Sequence, residues 1–180
     1  MEGRLLDATV AVLAEEGWKR LSLERIAERA GTSRVTLWRR GITRDGLVDA
    51  LLTRLTDDYQ RSLWPILTSP GSGRARLEAA LRALCEVADR HLHLLLASDT
   101  AFHEAQSRAK PRPSFIEPLV RLLHDGVADG SLRQPLDYAD RANALFNTVC
   151  WSYVHLRGRH RWSAERASTL VLDLVLNGVA

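Results

Sequence analysis

Apolar side chains recur at helical spacing along the whole chain, and no stretch shows the alternation of a strand bounded by turns. In residues 3–16, Leu6, Val10 and Leu13 form a stripe at i, i+4, i+7, with Glu15 and Glu16 outside it and Gly17 to end the helix. Trp18 is too large to leave exposed and is expected to close a small core. Ser22 is a good N-cap for a second helix, with Glu24 in its first turn. Leu23, Ile26, Ala27 and Ala30 make one apolar face there, while Glu24, Arg25, Glu28 and Arg29 take the other. Gly31 stands where a left-handed residue would close that helix, and Thr32 or Ser33 caps a third one that runs to about Arg40. Leu37 is its expected core residue, which leaves Arg34, Thr36, Trp38 and Arg39 or Arg40 facing outward.

Gly41 stops the third helix and Thr43 caps a fourth of about 23 residues. Its stripe is Leu47, Leu51, Leu55 and Tyr59, continued by Leu63 and Leu67, and Pro65 is expected to kink or end it. A helix of that length reads as a strut between a small N-terminal part and a body. Residues 69–73 form the clearest loop. Helix five is expected at about 74–96, on Leu77, Leu81, Leu84, Ala88, Leu92 and Leu95. A shorter segment at about 99–108 is closed by Lys110-Pro111-Arg112-Pro113. Helix seven (about 114–128) carries Ile116, Leu119, Leu123 and Val127, and ends at Asp129-Gly130. Asp137 caps helix eight, with Ala142, Leu145, Phe146, Val149, Tyr153 and Leu156. After the loop 157–161, Ser163 caps helix nine, which is apolar nearly all round and interrupted only by Asp173. Two apolar sides need two partners, and the same helix of a second copy can supply one of them. The reading is an all-α fold of about nine helices. Residues 1–44 form a three-helix helix-turn-helix domain and residues 45–180 a helical ligand-binding and dimerisation domain.

Charge sharpens this division. Residues 1–44 hold nine Lys or Arg against six Asp or Glu, whereas the remainder holds sixteen of each, so the whole net charge of +3 lies in the first quarter. Four arginines fall between residues 34 and 44. A localised basic element on a neutral body is the footprint of a nucleic-acid-binding module. An amphipathic helix, a glycine turn and a short cationic helix with Ser33, Thr36 and Trp38 suit a helix-turn-helix reader of double-stranded DNA.

Other classes fare worse. GxSxG, HExxH, P-loop and GxGxxG motifs are all absent, so an enzyme, a catalytic residue or a bound cofactor is not expected. No run of about 18 apolar residues occurs and the N-terminus lacks a signal-peptide core, which points to a cytoplasmic protein without membrane contact. Cys85 and Cys150 lie in apolar helical patterns, as reduced buried thiols would. His91 and His93 fall on different helix faces, and His103, His124 and His155 stand singly, so no metal site is expected. The rival reading is an all-α dimeric protein-interaction module without specific DNA binding.

The first 50 or so residues resemble the tetracycline-repressor (TetR) family of bacterial transcriptional regulators. The resemblance is carried by Leu5-Leu6 with Ala8, by Glu16-Gly17-Trp18, by Leu23 to Ala27, by the run Ala30 to Arg40, and by Thr43 to Leu47. It implies a homodimer with two recognition helices in successive major grooves, with Arg34 and Thr36 at positions that face the groove; the DNA-binding candidates are Ser33, Arg34, Thr36, Trp38, Arg39, Arg40 and Arg44. Trp38 occupies the tyrosine place that packs on the DNA backbone, and Arg44 the lysine place that reaches a phosphate. Three positions depart from the family pattern. Trp38 has no hydroxyl, Gly41 replaces a large aromatic, and Val35 replaces a frequent glycine. The resemblance also implies a small-molecule effector pocket in each body, for which Trp64, Cys85, Phe102, His103, Phe115, Phe146 and Trp151 are candidates. Helices eight and nine would form the dimer face, with Leu145, Val149, Tyr153, Leu170 and Leu174.

Overall fold

The structure, a computed structural model, describes residues 2–97 and 115–178. The expected short segment at 99–108, the Lys110–Pro113 break, Phe102 and His103 lie outside the described residues. The chain runs α1 (Glu2–Glu16), a single 3-10 turn (Trp18–Arg20), α2 (Leu23–Arg29), α3 (Arg34–Arg39), α4 (Arg44–Leu67) and α5 (Gly73–Arg90). There follow α6 (92–97), α7 (Glu117–Ala128), α8 (Tyr138–Gly158) and α9 (Ala164–Asn177). Every described element is helical. Two compact units emerge, one holding residues 2–55 and 93–97 of the described chain, the other 56–92 and 115–178. The division falls inside α4.

In the first unit, α1 packs on α2 and α2 on α3. The side chains that seal it are Leu5, Ala8, Val12, Leu13, Leu21, Ile26, Ala27 and Leu37, with Leu47, Val48 and Leu51 from α4. The buried face of α1 is turned from the expected stripe: Leu6 and Val10 are half-buried, and Thr9 is fully enclosed instead. Thr9 is tolerated there because its hydroxyl donates to the Leu5 carbonyl at 2.7 Å, leaving only its methyl to the core. The helix ends follow side-chain chemistry. The Ser22 hydroxyl accepts the Arg25 N–H at 3.3 Å and the Ser33 hydroxyl the Thr36 N–H at 3.1 Å. Thr43 does the same for Gly46 at 3.0 Å. Gly31 turns the chain between α2 and α3 with φ +66°, a conformation that costs a side chain with Cβ. Arg29 pairs with Glu15, and Arg4 donates to the Ala30 carbonyl at 3.0 Å, tying α2 to α1.

In the second unit α5 is the central helix, packing on α7, α8 and α9, while α8 also packs on α7 and α9. Its first turn comes very close to α7. A Cβ on Gly73 would stand 2.2 Å from the Gly126 nitrogen, so only hydrogen lets these backbones meet. The Asp129 carboxylate accepts the Gly73 N–H at 2.6 Å, and the Ser131 hydroxyl accepts the Arg74 N–H at 3.0 Å. Arg74 reaches on to the Leu176 carbonyl at 3.1 Å and caps α9. Hydrogen bonds from Ser131 and Gly73 hold the Asp129 carboxyl below the ordinary carboxylate range.

Two expectations about helix ends change. Helix five does not run to 96 but breaks at His91, where the imidazole turns aside to bond Asp58 on α4 at 2.7 Å. Pro65 neither ends nor interrupts α4, which continues two residues beyond it to Leu67.

Candidate nucleic-acid interface

The third helix has six residues and one inward side chain. Leu37 is buried, and Arg34, Val35, Thr36, Trp38, Arg39 and Arg40 are all exposed. With about 100° of rotation per residue, Val35 and Arg39 point most directly away from Leu37, and Thr36 and Trp38 flank them. Trp38 is 73% exposed and Val35 55%, so two large apolar groups stand in water beside the arginines. Such surface is costly without a partner. Val35 was absent from the sequence-derived contact set. The signal was present nonetheless: one of three apolar residues on a short helix can face the core, and Leu37 takes that place.

The polar groups differ in what they engage within the protein. Arg34 is ion-paired with Glu24 of α2. The Ser33 hydroxyl, besides capping α3, lies 2.9 Å from the Thr36 hydroxyl, so these two first serve each other. Arg39 has no acidic partner among the described residues. Arg40 is exposed at the helix C-cap. The Arg44 guanidinium lies 4.3 Å over the Trp18 ring, a cation–π contact that positions it at the start of α4. Trp18 is thus half-buried, and supports an arginine besides closing the core. This surface can do two things: its cations neutralise phosphates, and its side chains reach base edges.

A profile of the tetR family of bacterial regulatory proteins matches residues 5–51, the stretch that contains α1 to α3 and the start of α4. Residues 5–51 thus carry the DNA-binding domain of that family. That domain is the helix-turn-helix of a DNA-binding regulatory protein. The chain is similar to the HTH-type transcriptional repressor KstR2 of Rhodococcus jostii, with 26% identity across 98% of this chain and 89% of that one. KstR2 of Mycobacterium tuberculosis shows 27% identity across 98% and 92%. Among solved structures, the ketosteroid transcriptional regulator KstR2 of M. tuberculosis superposes with a TM-score of 0.77 at 24% identity, covering 99% and 94% of the two chains. FadR from Bacillus subtilis, in complex with stearoyl-CoA, gives 0.72 at 15% identity with both chains fully covered. The likeness of fold to these proteins therefore extends beyond residues 5–51 into the helical body, although the family profile covers only the first part.

The effector candidates are scattered more widely. Phe115 and Phe146 stack with centroids 5.7 Å apart, and both meet Tyr59 edge-on. The buried Tyr59 hydroxyl donates to the Phe115 carbonyl at 2.6 Å. Trp151 is half-buried. Cys85 and Cys150 are buried free thiols, and burial pushes both up to about 12, which leaves them protonated and inert. Trp64 does not join this group: it is 73% exposed on the last turns of α4. An open groove of about 610 Å³ lies between α4 and α5, lined by Ser62, Ile66, Ala75, Glu78, Ala79, Arg82, Ala83 and Glu86, none of them among the expected pocket residues.

On the expected dimer face, Val149 and Tyr153 belong instead to the core of their own unit. Tyr153 is held there because its hydroxyl donates to Asp89 at 3.0 Å, alongside Arg157 Nε at 2.6 Å. Leu145 is half-buried, whereas Leu170 and Leu174, one turn apart on α9, are each 51% exposed. Of the histidines, His124 stacks on Tyr138 at 3.7 Å and His155 lies 3.2 Å from His160. Among the described residues no three potential ligands gather into a metal site, and no helix is long and apolar enough to cross a membrane.

Proposed function

We propose that this protein is a transcriptional repressor that acts as a homodimer on an inverted-repeat operator and is released by a small apolar or amphipathic ligand held in the helical body. The reading domain is residues 1–44 and the body residues 45–180. What carries the reading is α3: sealed by Leu37 alone, it presents Val35, Trp38 and Arg39 outward, a face that has no use within the monomer. One such helix binds DNA weakly. Two of them, joined through the exposed Leu170 and Leu174 of α9, would address half-sites about one helical turn apart. The effector class is supported by the relatives: one is named for ketosteroid regulation, and another was solved with stearoyl-CoA. Such a ligand acts by preferring the conformation that fits DNA poorly.

The test is selection of duplexes from a random pool by the full-length protein, with the mass of the complex measured by sedimentation. The expected result is an inverted repeat bound by two chains. An asymmetric site occupied by one chain overturns the dimeric reading. Thermal-shift titration with fatty acyl-CoA thioesters and steroid acids then tests the ligand. A raised midpoint and loss of the gel-shifted band are expected, and no response to any of them removes that part.

A further inference from the structure

We propose that Val35 reads thymine, its isopropyl group packing on the 5-methyl group of one thymine in each half-site. This rests on α3 being the element that enters the major groove. Val35 and Arg39 lie about 160° from the inward Leu37, on either side, and so stand at the centre of the outward face. Two polar groups beside them are engaged elsewhere. Arg34 is drawn to Glu24 on α2, and the Thr36 hydroxyl is hydrogen-bonded to Ser33, which leaves the Val35 methyls, together with Arg39 and the flanking Trp38, as the uncovered groups of the surface.

Nothing inside the protein accounts for a valine there. It is 55% exposed, so it adds little to the core, and a β-branched residue is a poor choice for an exposed position of a six-residue helix. Its surface needs an apolar partner from outside. In the major groove every base edge offers donors or acceptors, and thymine alone offers a methyl group. Arg39, one turn further along the same face, can then address a neighbouring guanine through O6 and N7. The pair would read two adjoining bases by unlike chemistry, one by dispersion and one by charge-assisted hydrogen bonds.

The experiment starts from the duplex selected by the full-length protein, in which each thymine is replaced in turn by deoxyuridine, at equivalent places in both half-sites. Dissociation constants are measured for the native protein, Val35→Ser and Val35→Thr. One thymine is expected whose methyl loss weakens native binding about fourfold per half-site, as for one buried methyl group. Val35→Ser should bind the thymine and uracil duplexes within twofold of each other, and Val35→Thr, which keeps one methyl, should respond in between. Native binding that ignores every deoxyuridine overturns the proposal, as does a Val35→Ser protein with undiminished methyl sensitivity. The native arm decides even where a variant folds poorly. Selection that enriches no sequence would overturn the underlying assignment of α3, a failure distinct from methyl-blind recognition of a defined site.

Discussion

The core of the second unit and the outward face of α3 in the first use arginine in opposite ways. In the second, Arg74 caps the end of α9, Arg76 lies 3.0 Å from Asp125, and Arg157 shares Asp89 with Tyr153. These guanidinium groups are mostly shielded and each is paired inside the unit, although Arg76 Nε is buried without a hydrogen-bond partner. In the first, Arg39 stands on α3 without an acidic partner among the described residues, beside exposed Val35 and Trp38. The lesson is that a charge spent inside a unit holds it together, whereas a charge left at the surface beside uncovered apolar groups is waiting for a ligand. Substitutions should therefore separate cleanly, some removing DNA binding without loss of stability and others the reverse.

The largest effect is expected from Arg39→Ala combined with Arg40→Ala. Operator affinity should fall by about a hundredfold or more, since bidentate base contacts and phosphate neutralisation go together. The plot of log K against log salt should flatten by about 3–4 units for four lost charges per dimer, while the thermal midpoint barely moves. An unchanged gel-shift titration would sink the assignment of the reading face. Gly73→Ala breaks the other side of the comparison. Its Cβ would meet backbone at 2.2 Å, which neither helix can relieve by rotating a side chain. A loss of about 3 kcal/mol is expected, seen as a midpoint lower by about 10 °C. At temperatures where the protein remains folded, operator affinity should persist.

Asp89→Asn is the intermediate case. It replaces the acceptor shared by Tyr153 and Arg157, and urea unfolding should show a loss of about 2 kcal/mol. A smaller effect concerns pH. Burial raises Asp58, but its hydrogen bond with His91 and the charges of His91, Arg61 and Arg90 outweigh this and hold the carboxyl below its usual range. Its contribution to stability is therefore complete above the ordinary carboxylate pKa, and is lost as the pH falls through the lowered value. Asp58→Asn should flatten the acid limb of the stability–pH curve. A limb identical to that of the native protein would show that the Asp58–His91 pair is not coupled to folding.

Much of the reading unit was legible along the chain. Ser22, Ser33 and Thr43 cap their helices as their positions imply, and Gly31 takes the left-handed turn. Leu37 emerges as the sole inward residue of α3. The body was legible in its elements but less in its contacts. Trp64 is an aromatic at helical spacing, yet it faces water. Val149 and Tyr153 fit a dimer stripe by periodicity, yet they serve their own core, where Tyr153 has a half-buried carboxylate partner on α5. The break at His91 coincides with its hydrogen bond to Asp58, thirty-three residues earlier.

What the sequence by itself determined, then, was the helices, their caps, the placement of excess charge and the DNA-reading element. Each rests on interactions within about four residues: a hydroxyl on a nearby N–H, a stripe with the helical period, a glycine at a left-handed turn. Only the tertiary structure decided which apolar faces turn inward, which arginines are spent, and that Val35 stands uncovered at the centre of the reading surface. Those outcomes depend on which helix arrives opposite, and helical periodicity states that a face is apolar without naming what will cover it.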